Sequence, residues 1–159
     1  MSEINKERSI RHFKIIVVIF LIGFISVQAY KFYWPKTTVI LKDTSLKVLV
    51  ADNPYRHYKG LGGRTALAPY DGMLFVFAVP NKYGFVMRDT LFPIDIVWFL
   101  NGEVVDIAPN VPTELDIKET ELRRYIPRKS ANLVLELEAG WVEKYDLKIG
   151  DRLEIVGDP

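Results

Sequence analysis

The stretch IDIVWFLNGEVVDIA, residues 94–108, decides how this chain folds. Its first seven residues are almost wholly apolar and rich in β-branched and aromatic types. That run is too short for an ordinary core helix and reads as a buried strand. Asn101-Gly102 comes next, and both residues tolerate the positive φ that the centre of a type I′ turn requires. EVVDIA then returns as the second strand of a hairpin.

The same alternation spreads outward from this hairpin. LKVLVA (46–51) has the period of a half-buried strand, and MLFVFAV (73–79) is a continuous apolar run of strand length. Residues 84–87, 133–137 and 152–156 predict further strands. In DNPYRHYKG (52–60), Asp52 or Asn53 can cap a short helix, Pro54 suits its first position and Gly60 its stop. A Gly-rich loop, 60–63, follows. Residues 139–145 read as a turn and a short helix. Residues 109–129 are polar; Thr113-Glu114-Leu115-Asp116 resembles a helix start, and Glu119 and Arg123 stand one turn apart. That segment predicts either a solvated helix or an ordered loop, with His57 expected on the exposed face of the first helix. The expected architecture is α+β and β-rich: a small curved or barrel-like sheet with short helices, preceded by a transmembrane helix.

Residues 15–30, IIVVIFLIGFISVQAY, open on Ile15, close on Tyr30 and carry no charge. Arg8, Arg11 and Lys14 stand before them, which favours an N-terminus inside the cell. Tyr30, Phe32, Tyr33 and Trp34 read as an interfacial belt on the exit side. A single-pass membrane anchor is one reading. A cleaved signal peptide is the other, with Val27-Gln28-Ala29 offering small residues for a peptidase. The layout expected is a basic cytoplasmic tail (1–13), an anchor or signal segment (14–34), a short connector (35–45) and an extracytoplasmic domain (46–159).

Residues 1–36 hold six basic and two acidic side chains, and residues 37–159 hold fifteen basic and eighteen acidic. A mildly acidic body lacks the basic stripe that nucleic acid requires, so no nucleic-acid partner is expected. Cysteine is absent, which removes disulfides, iron–sulfur clusters, thiolate zinc sites and a Cys nucleophile together. The body has one histidine, His57, and two serines, Ser45 and Ser130. Neither serine lies in a Gly-x-Ser-x-Gly turn, and no Asp-rich calcium loop is present. No metal and no cofactor are expected.

Several pieces, in order, resemble the family called domain of unknown function 192. They are Gly60-Leu61 with Arg64, Gly72-Met73-Leu74-Phe75, Phe85-Val86-Met87-Arg88-Asp89-Thr90, and Pro93-Ile94-Asp95-Ile96. The Asn101-Gly102 hairpin, Leu135-Glu136 with Ala139-Gly140, and Gly150-Asp151 complete the set. The resemblance spans roughly residues 46–156. It implies a mostly β fold, often behind a signal or anchor segment, and brings no established activity or catalytic residue. Gly62, Val86 and Asp89 stand where the family has Met, Trp and Asn, so a pocket using those positions differs in shape and charge here.

One segment crowds polar groups into apolar company. Asp95, between Ile94 and Ile96, is costly to bury unless an arginine or several backbone N–H groups meet it. Arg64 and Arg88 are the candidate partners. A structural ion pair or a capped loop explains this segment. So does a pocket in which Arg64 and Arg88 hold a small polar or anionic ligand and Asp89 and Asp95 orient it. Glu136 and Glu138 alternate with leucines and read as a solvated strand face. The functional expectation is a membrane-anchored extracytoplasmic binding or interaction domain. The alternative is a small carboxylate-dependent hydrolase acting on cell-envelope glycans. A membrane-protein partner could use the charged 113–129 segment.

Overall fold

A computed structural model describes residues 3–157. The chain divides between Trp34 and Pro35 into two units, described one at a time. The first is α1, Glu3–Phe32. Within it, Arg11–Tyr30 is long and apolar enough to cross a membrane. Its 20 residues rise about 1.5 Å each, giving roughly 30 Å, the thickness of a hydrocarbon core. The helix has no preferred apolar face.

The second unit is a seven-stranded sheet made of β1 (Lys36–Leu41), β2 (Thr44–Ala51), β3 (Gly72–Asn81), β4 (Ile94–Leu100), β5 (Glu103–Val111), β6 (Ala131–Glu138) and β7 (Leu153–Ile155). The order is β5-β4-β6-β3-β2-β1-β7. Every neighbouring pair is antiparallel except β2 and β3, which run parallel. A parallel pair needs a crossover; here it carries α2 (Pro54–Lys59). Asn53 caps that helix by accepting from the Arg56 N–H at 3.0 Å, with Pro54 in its first turn and Gly60 at its end. Residues 35–45, expected as a connector, hold β1 and the start of β2. Lys42 and Asp43 turn between them with φ of 52° and 58°. Asn101 and Gly102, with φ of 51° and 83°, make the expected turn between β4 and β5.

The sheet curls until its outermost strands meet. Val104 N–H donates to Asp151 O (2.9 Å), Gly150 N–H to Val104 O (2.9 Å) and Leu153 N–H to Gly102 O (2.8 Å). Side chains alternate across a strand, so the curl gives two faces of different character. The inner face packs Val39, Leu41, Val48, Leu74, Val97, Phe99, Leu135 and Leu137 together, closed by Val142, Leu147 and Leu153. Fully burying such side chains is worth about 1.5–3 kcal/mol each, which is how a cysteine-free domain holds together. On the outer face, Leu49, Met73, Glu136 and Ile96 lie in register, beside Ala51, Phe75, Val134 and Trp98.

That outer face is covered. Phe85 packs edge-on against Phe75 (4.8 Å between centroids) and against Trp98 (6.1 Å), and Met87 and Leu61 are buried. Residues 84–87, expected as a strand, leave the sheet to make this cover and keep one bridge, Phe85 with Tyr125. Residues 112–130 are an ordered loop with one 3-10 turn, Glu119–Glu121. The short helix α3, Trp141–Lys144, falls where expected.

Candidate functional site

Between the outer face and its cover lies a cleft of about 290 Å³. Its floor is Glu136, placed by β6 between Met73 of β3 and Ile96 of β4. β3 and β6 are pressed close here: a Cβ on Gly72 would meet the Glu136 main-chain oxygen at 2.5 Å. Glu136 is only 5% exposed, and its Oε2 finds no hydrogen-bond partner among the described residues. Burial pushes its carboxyl up to about 8. A buried carboxyl with no cation beside it keeps its proton because the charged form is the one that needs water.

The walls are aromatic. The β3–β6 ladder breaks between Val76 and Asn81. Beyond that break, Phe77 stacks on Tyr83 at 3.7 Å and meets the His57 ring at 4.4 Å. His57 Nε2 faces Ala51 O (3.0 Å) and Val76 O (3.1 Å). Both are acceptors, so Nε2 carries a proton. His57 is thus half-buried against aromatic rings, not on an exposed helix face. The helix turns this way because Arg56, its neighbour, is buried and paired with Asp52 at 2.5 Å.

The mouth is basic, lined by Lys59, Arg88 and Arg124. Arg88 is already engaged. Its Nε and Nη2 donate to the Glu119 carboxylate, its Nη1 donates to Tyr58 O at 3.0 Å, and its guanidinium lies 4.1 Å over the Tyr58 ring. The Glu119 hydrogen bonds push the Arg88 guanidinium further up and hold the Glu119 carboxyl below its ordinary range. Glu119 therefore pairs across the cleft wall, and not with Arg123 one turn away. Among the described residues, Lys59 and Arg124 make no ion pair.

A family model described as "Uncharacterized ACR" matches residues 37–155. The chain belongs to the domain of unknown function 192 family. It is 30% identical over 120 residues to UPF0127 protein PF1050 of Pyrococcus furiosus, covering 71% of this chain and 90% of that one. Among solved structures, it resembles a Sinorhizobium meliloti protein provisionally named a transcription regulator. That match has TM-score 0.69 and 29% identity, and covers 79% of this chain and 97% of the other. A Novosphingobium aromaticivorans protein of unknown function matches with TM-score 0.63 and 26% identity, over 76% and 84% of the two chains.

In this family member the four residues singled out from sequence do not form one cluster. Arg88 lines the cleft; Asp89, next to it, lines a neighbouring hollow with Glu119, and its main-chain O accepts from the Gly63 N–H at 2.8 Å. That bond brings the 61–64 turn, and with it the half-buried Arg64, to the same segment. Asp95 is elsewhere. It is fully buried and in register with Leu137, so it points to the inner face, away from Glu136. Its oxygens accept from the backbone N–H groups of Asn110 (2.7 Å), Val142 (2.8 Å) and Gly140 (3.3 Å). Backbone donors, not an arginine, meet this carboxylate. Gly62 and Val86, two of the positions departing from the family pattern, line the cleft. Glu138 is exposed as expected, whereas Glu136 is not. Period-two alternation places Glu136 on the outer face, but it does not reveal that this face is roofed.

Proposed function

We propose that this family member is a membrane-anchored extracytoplasmic binding domain, with the cleft above Glu136 as its ligand site. The observation that carries the reading is an unpartnered carboxyl oxygen at the floor of an aromatic cleft. Natural proteins seldom leave such a group unmet, and clefts with few convergent polar groups and a perturbed carboxyl are where ligands bind. The apolar α1 and the basic residues before Ile15 support the anchor and an N-terminus inside.

A hydrolase built on Asp89 and Asp95 draws no support from Asp95's place on the inner face. Among the described residues lining the cleft, Glu136 is the sole carboxyl, so the cleft lacks the carboxylate pair of a glycoside hydrolase.

A thermal-shift panel of small polar organic compounds against the full-length protein in detergent tests the site. Compounds that raise the melting temperature of wild type should fail with the cleft-filling Val86→Trp. Shifts that survive Val86→Trp, or a panel with no hit, would count against the cleft. Protease added to sealed right-side-out membrane vesicles should reach the body of an uncleaved chain. Protection of the body until lysis would refute the orientation.

A further inference from the structure

Three features of the cleft combine: a Glu136 oxygen at the floor and two cations at the mouth that have, among the described residues, no hydrogen-bond partner and no ion pair respectively, and flat aromatic walls between them. We infer that the cleft takes a small planar organic anion, its charge at Lys59 and Arg124 and an acceptor oxygen at its far end hydrogen-bonded to Glu136. The inference rests on the cleft being the ligand site.

The floor sets the first requirement. A carboxyl held neutral by burial offers an O–H that needs an acceptor. A ligand carbonyl or ether oxygen would meet it, whereas a ligand cation would have to pull the proton away. The mouth sets the second. Arg88 is neutralised by Glu119, so the charge left to act on an arriving ligand comes from Lys59 and Arg124 and is positive. Cations are repelled there and anions drawn in. The walls set the third. Phe77 and Tyr83 are stacked on one another, nearly parallel at 10°, with no gap between them, and with Phe75 and Phe85 they line the cleft with aromatic surface, against which a flat ring packs better than a globular group.

The same arrangement couples binding to a proton. The titratable and charged groups facing the cleft are His57, Tyr58 and Lys59 from α2 and its exit, Tyr83 and Arg88 from the covering segment, Arg124, and Glu136 itself. Ionising Glu136 removes the donor and sets a negative charge against the ligand's oxygen, so affinity falls as pH rises past its value of about 8.

Calorimetry on the full-length protein in detergent can test this with three isosteres: 4-acetylbenzoate, 4-acetylbenzamide and 4-acetylbenzylamine. The anion should bind about tenfold or more tightly than the neutral amide, and the amine not measurably. Its affinity should fall about tenfold between pH 6 and pH 9, where Glu136 becomes about nine-tenths ionised. Glu136→Gln keeps a donor that cannot ionise, so it should retain binding and lose that pH dependence. Arg124→Gln, at an exposed position, should weaken the anion and leave the amide unchanged. The inference is overturned by amine binding equal to the anion, by an unaltered pH dependence in Glu136→Gln, or by indifference to Arg124→Gln. It also falls if none of the three binds, and the cleft reading is then judged separately by the wider thermal-shift panel. Should Glu136→Gln fail to fold, the anion–amide–amine order and Arg124→Gln decide alone.

Discussion

Asp95 and Glu136 are both buried carboxyls, on β4 and β6, which pair directly. Asp95 points inward and is met by three backbone N–H groups from two segments distant in sequence. Glu136 points outward, one residue off that register, and one of its oxygens finds no hydrogen-bond partner among the described residues. The first carboxyl ties β4 to the 109–111 segment and to the start of α3. The second contributes nothing comparable and costs stability when it ionises. Two groups of the same chemistry thus separate into scaffold and proposed site by whether the protein supplies their partners.

The largest test of this contrast is Asp95→Ala. It strands the buried Val142 N–H and the part-buried N–H groups of Asn110 and Gly140; a buried donor left unmet costs about 1–3 kcal/mol and the part-buried ones less, so unfolding free energy in urea should fall by about 3–6 kcal/mol. A loss below 1 kcal/mol would show that the backbone cage is not structural.

Glu136 should behave in the opposite sense. Folded, it keeps its proton up to about 8; its ordinary value is 4.5. The folded state therefore binds more protons between those values, and stability declines as pH rises through that window. Glu136→Gln should flatten the decline and make the protein about 2–4 kcal/mol more stable than wild type at pH 9, with little difference at pH 4. Parallel pH curves for the two proteins would mean that Glu136 is solvated or paired.

Asp106 sits between these extremes. Burial alone would raise its carboxyl, but hydrogen bonds from the Arg128 side chain and from the N–H groups of Arg128 and Ile107 hold it below its ordinary 3.8. Its stabilisation is present above that value and is lost as pH falls through the lower folded one. Asp106→Asn should cost about 1–3 kcal/mol at neutral pH and remove part of the acid-induced loss seen in an acid titration of folding. The smallest effect belongs to the exposed Glu119, which holds Arg88 at the mouth. Glu119→Gln should leave the melting temperature unchanged while freeing the Arg88 guanidinium, seen as altered Arg88 side-chain NMR resonances.

Much of the scaffold is legible in the sequence because its signals are local. The Asn101-Gly102 turn, the Asn53-Pro54 helix start and the apolar runs of β3 and β4 need only neighbouring residues to be read. Asp95 can be recognised as a carboxyl in need of partners, since Ile94 and Ile96 flank it. Its partners cannot be named, because they are main-chain groups 15, 45 and 47 residues away, and main-chain groups leave no mark in a sequence. Glu136 misleads for a related reason. A Glu-Leu-Glu alternation implies a wet outer face only if nothing is laid over it, and here residues 60–62 and 83–90 form the cover. Phe85 and Met87 hint at that cover, being too apolar for an exposed loop. His57 looks free from its neighbours and is pinned by carbonyls of β2 and β3.

The seam between Gly102–Val104 and Gly150–Leu153 bears on how such molecules coexist. A row of unmet peptide groups along a sheet margin recruits strands from other chains and seeds fibrils. Here one margin, β7, is only three residues long. The opposite margin is stitched at its beginning and interrupted further on by Pro109 and the left-handed Asn110. Many copies brought together at high local concentration would find little on each other to zip onto.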